Sequence, residues 1–466
     1  MGEGRPRQRK FAPRSRQGCL TCRTRRKRCD GKHPECQNCI RLNMKCEWQT
    51  PRQITAESPV RSATQTLGSP LRASIDPWEG AIAGNEVAER KQLLNYYVEA
   101  FVPSISVATT PSSNFYTSLY VPMAFESEGV LDVIIAVSSS QLAKRATDHD
   151  RARYLQDVTS KHQAKCHAFL RDRISPSGEP LKDTYQVIGV TMLLVGLEAL
   201  NGTKNTKWIS QLRCVRKILH AAYQENGAMT SWELESLRRH FTYHDAMASL
   251  VSGLSKPEPS TPVERDSIEL LTPATFSTID PLMGISYYLC SLIRRIQYVT
   301  SPTPAFPHIS EAAFRAIERE IRQWKYESPL SSSNIDLPIA LDLIALAESY
   351  RLAALIQLYR HSENHKALLP SCASRAMQFI SRIPAGSPAE SGLVYPIFLV
   401  GAELESETDI SKCFQRLAVI QKRHKYENVS NVEKVLQEVW RPVLDGGKRR
   451  DWEDVLREWE WSISLS

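Results

Sequence analysis

Six cysteines fall within 28 consecutive positions, and no other feature of the chain carries chemistry so specific. Cys19, Cys22, Cys29, Cys36, Cys39 and Cys46 follow the pattern C-x2-C-x6-C-x6-C-x2-C-x6-C and make up six of the eleven cysteines in 466 residues. The pattern is an internal repeat, in which the first three recur as the last three, each displaced by 17 positions. A stretch this short cannot bury enough core to hold itself together. Thiolates are soft ligands suited to zinc, and a two-residue gap lets a pair of them close on one tetrahedral ion. Six sulfurs cannot fill two separate tetrahedra, but they complete two if two of them bridge both ions. Two zinc ions with six thiolates leave an excess of negative charge that neighbouring basic residues help to offset. Metal uptake would also drive local folding. Disulfides are disfavoured, because no secretory signal precedes the cysteines and their total is odd.

The two halves of the repeat differ between their cysteines. Arg23, Thr24, Arg25, Arg26, Lys27 and Arg28 separate Cys22 from Cys29, and five of these six are basic. Ile40, Arg41, Leu42, Asn43, Met44 and Lys45 separate Cys39 from Cys46, with three apolar side chains. The first half therefore reads as facing DNA, the second as packing and backbone contact. Ligation at Cys19 and Cys22 would fix a short helix running through Arg26, which alone in water would be marginal. Arginines on such a helix can enter the major groove, where guanidinium pairs with guanine O6 and N7. Arg23, Lys27 and Arg28 are assigned to phosphate, adding affinity without sequence information. The same basic run suits a nuclear import signal, which is compatible with DNA contact.

This stretch resembles the fungal six-cysteine binuclear zinc cluster, the DNA-binding module of a class of transcription factors. All five gaps match, over about a tenth of the chain. The resemblance implies that Cys19 and Cys36 are the bridging sulfurs. It also implies that Pro34 shapes the loop between repeats through a cis bond. In the family, the third and fourth positions after the second cysteine face the bases, usually at a CGG triplet; here they are Arg25 and Arg26. The fourth is more often lysine, and a planar fork is not interchangeable with a point charge.

The flanking sequence is organised around this head. Residues 1–52 carry 15 Lys and Arg against 4 Asp and Glu, a net of +11, while the other 414 carry 44 against 47, a net of −3. A basic head on a mildly acidic body points to nucleic acid as the head's partner. The expected parts are a basic disordered arm over 1–17, the zinc cluster over 18–48, a flexible Ser/Thr/Pro-rich linker over 49–86 and a helical body over 87–466. The linker shows no sustained heptad pattern, so no coiled coil is expected and any dimerisation falls to the body. Ser58 and Ser69 share a Ser-Pro-x-Arg pattern suited to a proline-directed kinase. No stretch is apolar over the roughly 18 residues a membrane span needs. Val187–Leu200 has 14 residues and includes Glu198.

From about Val87 the pattern is helix after helix. Apolar residues recur at three- and four-residue steps over 89–101, 129–147, 151–174, 183–200, 205–226 and 231–251. After a proline-rich loop at 253–278 the pattern resumes over 281–300, 311–326, 337–359, 371–383, 409–425 and 432–443. Pieces of this body, Tyr96-Tyr97-Val-Glu-Ala-Phe101, Gly129-Val-Leu-Asp-Val-Ile-Ile-Ala136 and Tyr243-His-Asp-Ala-Met-Ala-Ser-Leu250, resemble the fungal-specific regulatory domain often found after such clusters. In that family the region regulates activity and sometimes senses a small molecule. His240 and His244 are four apart, but the residue after the first is Phe241 where a zinc protease needs Glu, so packing or hydrogen bonding is expected. Residues 451–461 alternate acids with Trp and Leu at helical spacing and read as a closing helix on the body.

The fold class expected is therefore a small zinc-stabilised two-helix cluster, a flexible linker and a large all-α regulatory domain. The function expected is a nuclear, zinc-dependent, sequence-specific regulator of RNA polymerase II transcription, possessing no catalytic residues. Its partners are double-stranded DNA, the transcription machinery and a small-molecule effector, with a metabolic or secondary-metabolite pathway as the setting. The alternative is a helical interaction scaffold that the cluster merely localises to DNA.

Overall fold

The computed structural model describes residues 19, 22, 29–41, 46, 48, 86–107, 114–175, 178, 180–226, 231–252, 286–300, 310–325, 337–444 and 447–466. The arm, most of the linker with Ser58 and Ser69, and the proline-rich loop lie outside them. The chain divides into two compact units, Met1–Ala73 and Ser74–Ser466. In the first, the described regular element is α1, Gln37–Ile40, which starts on Cys36.

The second unit is built from helices, and among the described residues it contains no strand, only an isolated bridge between Ile174 and Pro180. It opens with α2 (Glu86–Tyr96), a π-helical turn over Tyr97–Phe101, and α3 (Val102–Ile105). The short α4 (Phe115–Ser118) and α5 (Tyr120–Glu126) follow, then the long hairpin of α6 (Glu128–Arg145) and α7 (His149–Arg173). Next come α8 (Thr184–Leu200), α9 (Lys207–Asn226) and α10 (Trp232–Ser252). The later part comprises α11 (Tyr287–Thr300), α12 (Glu311–Gln323), α13 (Leu337–Tyr359), α14 (Leu369–Arg382), α15 (Val394–Glu403), α16 (Glu407–His424), α17 (Glu427–Leu444) and α18 (Trp452–Glu458).

Two kinds of helix make this core. In α6 the residues from Gly129 to Ala143 are buried with the single exception of Leu131, and in α8 burial runs from Val187 to Val195. Such helices are apolar all round because protein covers every face. That explains the apolar run at 187–200; no helix of the described residues is long and apolar enough to cross a membrane. The second kind is amphipathic. On α7 the buried residues Leu155, Val158, Thr159, His162 and Cys166 form one stripe facing α6. The two axes approach closely at Gly129, where a Cβ would stand 2.5 Å from the Phe169 ring, so only hydrogen fits there. Glu128 in the first turn of α6 and Lys144 and Arg145 in its last complement the helix dipole.

Helices at 115–126 and 394–403 escape the helical pattern in the sequence. Residues 115–126 form α4 and α5, where Asn114 caps the first by accepting from the Tyr116 amide, 3.0 Å away. Residues 394–403 form α15, every residue of which is buried. At ten residues and covered on every face, it is too short to show a period, unlike the longer α6 and α8. The closing segment behaves as its spacing suggests: Trp452, Val455 and Leu456 are buried, and Trp452 meets the Phe398 ring edge-on at 5.1 Å. Arg360 at the end of α13 fastens it, donating to Asp451 at 2.8 Å and to the buried Glu403 at 2.6 Å. The chain then enters the core, with Ile463 and Leu465 fully covered.

His240 and His244 sit in that core as hydrogen-bonding groups. The Nε2 atoms of the pair are 3.1 Å apart. His240 also meets the Tyr120 hydroxyl at 2.8 Å and that of Tyr116 at 3.2 Å, while His244 meets Ser466 Oγ at 2.7 Å. Burial pushes both imidazoles down, His244 to about 4 and His240 well below its usual range, where His244 adds repulsion. The unfolded chain therefore takes up protons that the folded one refuses. The stabilisation is complete above the ordinary histidine value and fades as pH falls toward the folded one. Acidification to near pH 5 should cost about 2 kcal/mol at His244 alone. In urea titrations at neutral and acidic pH, His244→Gln should show a correspondingly shallower loss of stability.

Candidate metal centre and nucleic-acid interface

The cysteine repeat of the sequence reappears as a repeat of hydrogen bonds. The Cys22 amide donates to Cys19 Sγ at 3.3 Å, and seventeen residues on the Cys39 amide donates to Cys36 Sγ at 3.4 Å. The Cys19 amide donates to Cys29 Sγ at 3.4 Å, and the Cys36 amide donates to Cys46 Sγ at 3.3 Å. Each two-residue gap thus lets an amide turn back onto the preceding sulfur. Each six-residue gap brings the third sulfur of a half to the backbone of its first.

The sulfurs converge. Cys19 Sγ lies 3.7 Å from Cys36 Sγ and 3.8 Å from Cys39 Sγ, and Cys22 Sγ lies 3.6 Å from Cys36 Sγ. A tetrahedron with zinc–sulfur bonds of about 2.3 Å has edges of about 3.8 Å, so these spacings suit thiolates around zinc. Direct disulfides would need about 2.0 Å, and all six cysteines are free. The sulfurs of Cys19, Cys22, Cys36 and Cys39 all lie within 4.8 Å of one another, and these four residues are fully buried. Cys29 is 9% exposed and Cys46 is partly covered against the same cluster.

Electrostatics favour a cation there. Burial pushes the thiols of Cys19 and Cys22 up, and that of Cys39 up to about 12. At Cys36 burial acts the same way but is outweighed by the Cys39 amide and the surrounding thiols, which bring it down to about 6. Without a counter-charge most of the group would stay protonated. A divalent ion reverses that balance and deprotonates its thiols outright. The residues present fit the zinc that their spacing implies.

Local structure holds the second half in place. Cys36 is the N-cap of α1, its backbone extended at φ −78° and ψ 148°, and Cys39 is the buried residue of that helix. The Asp30 carboxylate accepts from the Gln37 amide at 3.1 and 3.3 Å. Gly31 takes φ +75°, a conformation open to glycine, and the His33–Pro34 peptide is cis. Trp48 closes the loop: its indole donates to the Pro34 carbonyl at 2.7 Å and its ring stacks on His33 at 3.7 Å. The roles of Asp30, His33 and Trp48 carry no motif that the sequence could have announced. Ile40, expected to pack, is 51% exposed, because one turn of helix offers a single inward position and Cys39 holds it. Arg23, Arg25, Arg26, Lys27 and Arg28 lie outside the described residues.

Comparison with known proteins agrees with both units. Residues 17–54 match the fungal Zn(2)-Cys(6) binuclear cluster domain, and residues 92–466 match the fungal specific transcription factor domain. The transcriptional activator protein UGA3 of Saccharomyces cerevisiae is 21% identical, across 97% of this chain and 98% of its own length. The zinc cluster transcription factor CZF1 of Candida albicans is 55% identical over 51 residues, 11% of this chain and 12% of its own. The aspercryptin biosynthesis cluster-specific transcription regulator atnN of Emericella nidulans is 41% identical over 61 residues, 13% of this chain and 10% of its own. No solved structure matches.

The Asp30 contact is a support of the cluster that can be removed without touching a sulfur. Asp30→Ala should cost about 1 kcal/mol, the value of one such hydrogen bond, and quicken zinc transfer to a chromogenic chelator about fivefold.

Proposed function

Since this chain belongs to the family of fungal transcription factors that join a Zn(2)-Cys(6) binuclear cluster to a fungal specific transcription factor domain, we propose how its parts divide the work of a DNA-binding transcriptional regulator. The six sulfurs hold two zinc ions, with Cys19 and Cys36 bridging, Cys22 and Cys29 completing one site and Cys39 and Cys46 the other. The observation that carries this is the central place of Cys19 and Cys36: each lies against the other and against the sulfur of a cysteine from the opposite half. Bound zinc supplies charge neutralisation and a rigid frame, not reactivity.

On that frame the residues after Cys22 face DNA. Arg25 and Arg26 read guanines of a CGG-like half-site in the major groove, and Arg23, Lys27 and Arg28 grip phosphate. The arm over 1–17 adds charge, the linker over 49–86 gives reach, and the body over 87–466 controls output. It does so at RNA polymerase II genes in the nucleus, where family members generally act, by contact with the transcription machinery and in response to a small-molecule effector. The name of atnN ties that relative to a biosynthetic cluster, which supports a metabolic or secondary-metabolite setting here.

Two measurements test this reading. Metal analysis of the full-length protein should give about two zinc ions per chain; Cys36→Ser should fall below one, and Cys413→Ser, in the core of the body, should keep both. Retention of two ions by Cys36→Ser would refute the shared sulfur. In fluorescence anisotropy, Arg26→Ala should lose about 1–3 kcal/mol on a CGG duplex and far less on a scrambled one. Equal loss on both would make Arg26 a phosphate contact.

A further inference from the structure

The helical body contains a cleft that none of the readings above uses. It lies between α2, α6 and α7 and has a volume of about 180 Å³, enough for a molecule the size of a monosaccharide. Leu93, Ile135, Val158 and His162 form its buried floor. His162 is 4% exposed, and its Nδ1 is 2.7 Å from Oδ1 of the buried Asp132, which is not part of the lining. The opposite edge of the imidazole therefore faces the cleft. Its Nε2 has no hydrogen-bond partner among the described residues. A carboxylate behind a histidine fixes the orientation of the ring, so the floor presents one oriented, desolvated polar atom amid hydrocarbon.

The rim is polar and balanced in charge. Arg90 and Lys161 face it with Glu89 and Asp157. Glu89 accepts from the Tyr154 hydroxyl with both oxygens, at 3.0 and 3.1 Å, and Arg90 pairs with Glu128 at 3.2 Å. Asp157 is exposed and makes no hydrogen bond or ion pair within the described residues. Two cationic side chains oppose a metal ion, and two carboxylates oppose an anion. Donors and acceptors around a short apolar floor suit a neutral molecule rich in hydroxyl groups, whose C–H face can lie on Leu93 and Val158. Tyr154, 46% exposed, adds an aromatic edge at the mouth.

We infer that this cleft is a binding site for a small neutral polyol or monosaccharide, held by a hydroxyl donated to His162 Nε2 and by rim contacts that include Asp157. The inference deepens the reading of the body as effector-responsive and rests on it for its regulatory meaning. Binding itself is separable from DNA recognition, because it is measured without DNA.

The test uses purified full-length protein. Thermal unfolding and calorimetry are followed with D-glucose, D-xylose and myo-inositol as probes and with acetate and inorganic phosphate as anionic comparators. At least one hydroxylated probe should raise the unfolding midpoint saturably. His162→Gln should weaken its binding about tenfold, the equivalent of about one buried hydrogen bond. Asp157→Ala, at an exposed position where folding is unaffected, should weaken it severalfold. The site is refuted if no hydroxylated probe shifts the midpoint, if Asp157→Ala binds as tightly as the wild type, or if acetate or phosphate binds instead. Binding of a CGG duplex by the same sample is read in parallel, so a failure of the cluster shows as lost DNA affinity with the cleft result intact.

Discussion

Mutual repulsion among buried sulfurs is the constraint on which the head of this protein depends. Bringing Cys19, Cys22, Cys36 and Cys39 within 4.8 Å of one another and out of water is unfavourable for thiolates and gains little for thiols. A small module with no oily core can accept that arrangement only when a cation makes it favourable. Folding of the head and possession of metal are then one event. The shortness of α1 and the paucity of apolar residues around it follow from the same fact.

The body solves the opposite problem. It has area to spare, and its interior is assembled from helices covered on nearly every face, α6, α8 and α15, with amphipathic ones laid against them. Among the described residues, buried carboxylates enter that interior where their charge is shared. Glu390 is 1% exposed and is met by Arg416 at 3.2 Å, by Arg423 at 3.4 Å and by His424 at 3.4 Å. Burial alone would raise its carboxyl, but His424, Arg416 and the Gly386 amide outweigh that and hold it below the usual range. Glu403 is likewise met by Arg360 and Arg449. Such pairs add little net stability but penalise any packing that separates them, and so favour one arrangement of α13, α15, α16 and α18 over its neighbours.

How much of this could be read beforehand depended on whether an element shows its surroundings in its own composition. The cysteine spacing did so for the zinc cluster domain, because ligand chemistry is local and countable. Amphipathic α7 and α12 did so through their stripes. The ends of α13 and α17 were legible to within a residue, whereas α17 begins at Glu427, five residues before its apolar pattern, on a polar first turn. Helix α15 stayed hidden because ten residues covered on every side show no stripe, and α4 and α5 because they are too short for a period. The partners of Asp30, His33 and Trp48, and the meeting of His162 with Asp132 thirty positions away, are products of tertiary geometry that no local pattern encodes.

The near-complete burial of α6 and α8 along their middles also sets how a stimulus can travel. The middle of α8 is covered from Val187 to Val195, and that of α6 is reached only through the cleft floor at Ile135, so little outside can push on either directly. A close-packed interior yields by sliding or turning whole blocks, not by bending one side chain at a time. Whatever displaces an outer helix must therefore roll it against these two central axles. The response at the far side of the body is a change of posture, not a wave of small adjustments.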